Sequence, residues 1–376
     1  METKPIRFGA LDVFRGMTIV FMIIVNSPGN WSFVYGPLLH AEWYGFTPTD
    51  LVFPSFLFAI GTAMSFSMRK WAGQPGGEVA KQILKRTGLL FLFGYLMYWY
   101  PFFRLDLAWN FSAFPIGETR IFGVLQRIAL AYGVAAALLH FAGKKWTYAL
   151  VLLSLPAYWF LLATYGIEGL DPLSLEGNAV RALDLKLIGA NHMYMGEGIA
   201  FDPEGLLTTL PSIANIVAGY AAGLFVQRER DEKNTRIDLM LVGASICLAA
   251  MVWDLAFPIN KKLWTSSYVL LTIGLDLVIL GLLMWFLPKD KKLPGWGTFF
   301  QTAGKNPLAI YLLSELALIT LYTLPAGTSS AWEWAYTNGF SWMGAKLGSF
   351  AMAAVFSLSC WAFGYWMDRR KWYWRV

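Results

Sequence analysis

The sequence predicts an all-α, polytopic integral membrane protein: a bundle of about ten transmembrane helices with both termini inside. Composition points there first. Of 376 residues, 57% are hydrophobic and only 14% charged, with a mean hydropathy of +0.48. Soluble domains carry about 25% charged residues. Polar surface is too scarce here to cover a soluble globule. The second observation is a series of apolar runs about 20 residues long, the length that crosses roughly 30 Å of hydrocarbon. The third is a strong asymmetry of positive charge between alternate loops.

The runs fall near 10–27, 50–68, 86–101, 121–141, 146–165, 207–227, 237–256, 266–287, 306–324 and 346–367. The first has no signal-peptide cleavage pattern after it and is expected to stay as a span. With the N-terminus inside, 22 of the 30 Lys and Arg fall on the inner side, including Lys4, Arg7, Arg230, Lys289, Lys291 and Arg375. Seven fall outside: Arg104, Arg120, Arg181, Lys186, Lys261, Lys262 and Lys346. Arg127 lies inside a span. The closing DRRKWYWRV reads as a basic, aromatic anchor at the inner interface. The chain is a single transmembrane domain, 1–376, with outer loops at 28–49 and 166–206. No repeat or soluble second domain is visible.

Absences narrow the function. Cys247 and Cys360 both sit in apolar runs and imply neither a disulfide framework nor a metal cluster. The sequence contains no Walker loop, HExxH, CxxC, dinucleotide fingerprint or GxSxG. The net charge of +6 is explained by inner loops, and nucleic-acid binding has no support.

Residues 26–54, NSPGNWSFVYGPLLHAEWYGFTPTDLVFP, carry no Lys or Arg but hold His40, one of only three histidines. An imidazole near its ordinary pKa of about 6.5 takes a proton from an amine or hydroxyl at neutral pH. An interfacial histidine satisfied by water is the bland alternative. Asn26 ends the first span, where its amide is placed to donate to a developing oxyanion or orient the ring. Asp50 opens the second span, as a helix cap or as part of the site. Pro54 allows a kink one turn on.

His192, Asp202 and Glu204 lie on the same outer side, in GANHMYMGEGIAFDPEG, either as a polar turn or as ligands for sugar hydroxyls or an ammonium. His140 reads as interfacial. Charges within spans are costly and are functional candidates by default: Arg127 for an anionic ligand, with Asp276, Glu315 and Asp254 as further examples. Internal ion pairs are the alternative. Arg15 can pair with Asp12 at i, i+3 or meet a phosphate.

The stretches LDVFRGMTIVFMIIVNSPGN and LLHAEWYGFTPTDLVFPSFLFAIG resemble the opening of the heparan-alpha-glucosaminide N-acetyltransferase family, including its bacterial NagX-like members. The likeness recurs at GVLQRIALAY, FDPEGLLTTLPSIANIVAGYAAG, INKKLWTSSYVL and GKNPLAIYLLSE. It implies transfer of an acetyl group from cytosolic acetyl-CoA to an amino sugar of the glucosamine type across the membrane. It implies His40 as the active-site histidine and Asn26 as its companion. It also implies a homodimer, a bacterial inner membrane and a periplasmic active-site loop. On this reading CoA phosphates bind near the inner half, and Arg15, Arg127, Lys305 and Asn306 are candidates along the path. His40 serves as base or as acetyl carrier. The alternatives are a transporter of amino sugar or N-acetylglucosamine and an O-acyltransferase of cell-envelope glycans.

Overall fold

The computed structural model describes residues 9–228, 231–287 and 292–374. Lys4, Arg7, Arg230, Lys289, Lys291 and Arg375 therefore lie outside the described residues. Helices occupy every apolar run. They are α1 (Gly9–Asn26), α2 (Val52–Ser67), α3 (Gly76–Trp99), α4 (Val124–Ala137), α5 (Gly143–Thr164), α6 (Ala179–Leu187) and α7 (Leu206–Val226). They continue as α8 (Glu232–Asp254), α9 (Ser266–Phe286), α10 (Gly295–Lys305), α11 (Pro307–Thr323), α12 (Ala331–Gly339) and α13 (Ala345–Arg369). Two small hairpins were not expected: β1 (Phe103–Leu105) with β2 (Phe111–Ala113), and β3 (Pro325–Ala326) with β4 (Ser329–Ser330).

Among the described residues, seven helices are long and apolar enough to cross a membrane, or eight if α10 and α11, bent by 78°, form one span. That is fewer than the ten runs. Residues Val124–Thr164 count as one 41-residue stretch, but a straight helix of that length would be about 60 Å long. The chain instead breaks at Gly143, where φ is +77°, the left-handed region that glycine occupies at little cost. Arg127, near the start of α4, lies over the Trp264 ring at 4.5 Å. Tyr158, in the second half of α5, donates to Leu263 O at 2.7 Å. Both contacts reach the same loop, so α4 and α5 run antiparallel with Gly143 at the far end. α3 opens on Lys81, Lys85 and Arg86, which dilute its hydropathy.

Close helix pairs are built on glycine. A Cβ on Gly61 of α2 would sit 1.9 Å from Ile216 O of α7, and one on Gly219 would sit 2.0 Å from Phe58 O. Gly16 of α1 and Gly304 of α10 make the same approach, at 1.7 and 2.0 Å. Small residues at such crossings let backbones pack where helices gain no hydrophobic drive from surrounding lipid.

The connections segregate to two ends. At one end Trp43 Nε1 donates to Leu173 O (3.0 Å), Gly45 N to Ile259 O (2.9 Å), Ile121 N to His192 O (3.1 Å) and Trp332 Nε1 to Pro28 O (3.0 Å). Five connecting segments thus form one cap. At the other end Trp71 packs edge-on to His140, and Lys305 pairs with Asp368.

Candidate active site

The cap is organised around Asp50. Pro48 fixes the start of a 3-10 turn, Pro48–Leu51, that leads into α2. Asp50 is fully buried and its carboxylate reaches back to accept from Thr47 N (2.9 Å), Thr47 Oγ1 (3.1 Å) and Ala41 N (3.2 Å). Its other oxygen lies 2.7 Å from His40 Nδ1. The sequence posed Asp50 as helix cap or site partner; in the structure Thr47 is the N-cap, and Asp50 is the N3 residue of its capping box, with its second oxygen on His40. A carboxylate accepting at Nδ1 fixes the tautomer and leaves Nε2 as the basic nitrogen. Tyr268 Oη holds the same turn from below, donating to Asp50 O at 2.6 Å.

Lys261 completes the group. Its Nζ lies 2.8 Å from His40 Nδ1, 3.0 Å from Nε2 and 3.7 Å from Asp50 Oδ1. An in-plane position so close to both nitrogens would collide with the ring carbon between them, so the ammonium lies across the ring. Enclosure of the inner ring edge lowers the His40 pKa, and Lys261 lowers it further, against the opposing pull of Asp50. Burial likewise lowers the pKa of Lys261, partly offset by Asp50 and Glu204. The neighbouring Lys262 fastens two cap loops together, donating to Glu42 O (2.6 Å) and pairing with Glu197.

Arg120 forms the roof. It grips Asp202 with two bonds (2.9 and 2.6 Å) and Glu204 with a third (2.6 Å). Asp202 is fully buried, with both oxygens on Arg120. These bonds hold the loop in place. Burial disfavours charge on Glu204, but Arg120, Arg127 and Lys261 outweigh it and hold its pKa below the usual range. Arg127 is fully buried and donates to Pro203 O (2.5 Å) and to the Thr208 hydroxyl. It thus sits beneath the same loop as a brace, at the cap end. Asp184, pushed up to about 7 mainly by burial, accepts from Leu206 N (3.2 Å) at the start of α7.

The remaining candidates separate. His192 Nδ1 meets Thr119 O at 2.7 Å and ties two cap loops together. Arg15 donates to Gly304 O (2.6 Å) and Asp12 (2.9 Å). Lys305 pairs with Asp368 at 2.7 Å. Asn306 binds both Trp372 O (3.0 Å) and Trp374 N (3.1 Å). These three stitch α1, α10 and the C-terminal segment together at the far end, where the sequence placed them as path residues. Asn26 hydrogen-bonds Glu315 of α11.

Lys261 and Arg120 escaped the sequence reading. Their partners lie 221 and 82 residues away, beyond any local pattern. The one signal was a Lys pair and a lone Arg on a cation-poor side.

Comparison with known proteins identifies the family. The family model described as heparan-alpha-glucosaminide N-acetyltransferase, catalytic, matches residues 7–251. The mouse (Mus musculus) heparan-alpha-glucosaminide N-acetyltransferase is 28% identical over 364 residues, covering 82% of this chain and 53% of that protein. The human (Homo sapiens) protein of the same name is 29% identical over 368 residues, covering 84% and 54%. The chain spans about half the length of the curated relatives it matches. On a family match that covers residues 7–251, His40 and Asp50 among them, this chain belongs to the heparan-alpha-glucosaminide N-acetyltransferase catalytic family.

Proposed function

We propose that the protein is a transmembrane N-acetyltransferase that moves the acetyl group of acetyl-CoA from the inner side to the amine of an amino sugar on the outer side. The observation that carries this reading is the His40–Asp50 contact of 2.7 Å with Lys261 Nζ at 2.8 Å from the same ring. A base oriented by a carboxylate, beside a fixed cation, is what acyl transfer to an amine requires.

The acceptor arrives as an ammonium, and His40 Nε2 takes a proton from it. The freed nitrogen attacks the thioester carbon, and a C–N bond forms. The ammonium of Lys261 stabilises the oxyanion. Collapse breaks the C–S bond, and the departing thiolate takes the proton held by His40. A second proton, from the nitrogen, leaves to the outer water. In the two-step variant His40 Nε2 itself carries the acetyl group; trapping acetyl-enzyme without acceptor distinguishes the two.

A half-open groove of about 230 Å3 supports a path for the donor arm. It runs along one face of α1, past Phe14, Met17, Thr18, Phe21 and Val25, to Pro48 and Thr49 beside Asp50. Residues 14 to 25 rise about 16 Å, roughly half the hydrocarbon thickness. Ten spans, with both termini inside and the His40 loop in the periplasm of a bacterial inner membrane, suit the asymmetry of Lys and Arg and the antiparallel course of α4 and α5. Purified protein with labelled acetyl-CoA and glucosamine tests the activity: an acetylated product supports it, and flux of sugar without any need for acetyl-CoA supports transport instead.

A further inference from the structure

The groove beside α1 carries three hydroxyls, those of Thr18, Thr49 and Ser55, in an otherwise apolar lining. None of the residues that line it is charged. Each hydroxyl has already placed its proton. Thr18 Oγ1 donates to Phe14 O at 3.0 Å, one turn back on α1. Thr49 Oγ1 donates to Pro37 O at 3.1 Å. Ser55 Oγ donates across to Asp276 Oδ1 of α9 at 2.5 Å. Asp276 is fully buried. Its Oδ1 accepts in either charge state, since a protonated carboxyl keeps a carbonyl oxygen.

A hydroxyl has one proton to give and two lone pairs to accept with. With the proton spent, Thr18, Thr49 and Ser55 offer an entering molecule only lone pairs. Such a groove has no cation for a phosphate. It favours a neutral chain that carries N–H or O–H donors between apolar groups, since donors buried without acceptors are costly. The hydroxyls are also spread along the groove. Thr49 stands in the turn that holds Asp50, at the cap. Ser55 lies one turn further on, inside α2. Thr18 lies eight residues before Asn26 on α1, about 12 Å from the cap end of that helix.

We infer that Thr18, Ser55 and Thr49 recognise the pantetheine arm of the donor, accepting from its two amide N–H groups and its internal hydroxyl. This rests on the acetyltransferase reading and deepens it: the groove selects the donor by the amides in its arm, and the phosphates stay outside the groove. The methylenes and the geminal methyl groups of the arm lie against the apolar side chains between the hydroxyls.

Pantetheine alone, which has the arm but neither nucleotide nor acetyl group, is the probe. It is compared with an analogue in which ester oxygens replace both amide N–H groups, so that length and apolar surface stay and two donors go. Binding of each to the full-length protein in detergent is measured by calorimetry. Wild type is expected to prefer pantetheine about tenfold or more, as for two hydrogen bonds of ordinary strength. Thr18→Val combined with Ser55→Ala removes two acceptors and should cut the preference to less than about threefold. Thr18→Ser keeps its hydroxyl and should preserve it. Equal binding of the two probes by wild type, binding of neither, or an unchanged preference in the double variant would overturn the assignment and leave the groove a crevice for lipid chains. An amide preference of the expected size without acetyl transfer from acetyl-CoA to glucosamine would support the arm subsite and remove the acetyltransferase reading.

Discussion

Lys261 Nζ lies 2.8 Å from His40 Nδ1, although 221 residues separate them in sequence. A cation against an imidazole keeps that imidazole neutral. Enclosure of the ring and Lys261 both hold the His40 pKa below 6.5. Below pH 6.5 the unfolded chain then binds a proton that the folded state resists. Stability is expected to fall as pH drops from 6.5 through the lowered value. A base must be neutral, so the acid limb of kcat/KM should lie below pH 6.5. Lys261→Met removes one of the two lowering causes and is expected to move that limb upward. It should also cost about 10²-fold or more in kcat through the lost oxyanion donor. A pH profile of kcat/KM checks both; an unmoved limb would contradict the placement of Lys261.

Asp50 does two things, and Asp50→Asn separates them. The asparagine keeps one oxygen for the Thr47 backbone, so the helix start should lose only about 1 kcal/mol. The His40 tautomer is no longer fixed, and kcat should fall about 10³- to 10⁴-fold. Thermal unfolding beside turnover gives the split. A small loss in rate with a large loss in stability would make Asp50 a cap alone.

Arg120→Met leaves Asp202 buried without its partner. Breaking a buried pair from one side costs about 3–5 kcal/mol, and unfolding temperature in detergent should drop accordingly. The double variant Arg120→Met with Asp202→Leu is expected to recover most of it. Equal stability of the single variant and wild type would mean that the roof is not structural.

The donor path makes its own prediction. Thr18→Phe projects a ring into the 230 Å3 groove and should raise KM for acetyl-CoA about tenfold, a cost of ~1.4 kcal/mol, with KM for the amino sugar unchanged. Lys305→Met, by contrast, breaks only the pair with Asp368 and should leave KM for acetyl-CoA as it was. The reverse pattern in the two variants would move the donor to the far end of α10.

Helices were legible because lipid makes their apolar runs long; all ten runs carry one. Their count as spans was less legible, since α3 begins in a cluster of cations and α4 and α5 run on as one helical stretch through Gly143, Lys144 and Lys145. His40 stood out as an imidazole in a cation-free loop, and Asp50 as a possible cap. Their contact spans ten residues and is fixed by a local turn. Arg120 and Lys261 were only counted as outer charges, because long-range ion pairs leave no periodicity. Arg15, Lys305 and Asn306 looked available as polar residues near spans; their side chains bind the backbone and the C-terminal segment.

The most direct test of a transfer through His40 uses proteoliposomes of known orientation, with labelled acetyl-CoA confined to the side of the Lys-rich loops and glucosamine to the side of His40. Acetylated sugar should accumulate only on the His40 side with wild-type protein, and His40→Ala should reduce it by about 10³-fold or more. Normal turnover in His40→Ala, or product formed only when both substrates share the Lys-rich side, would contradict the account.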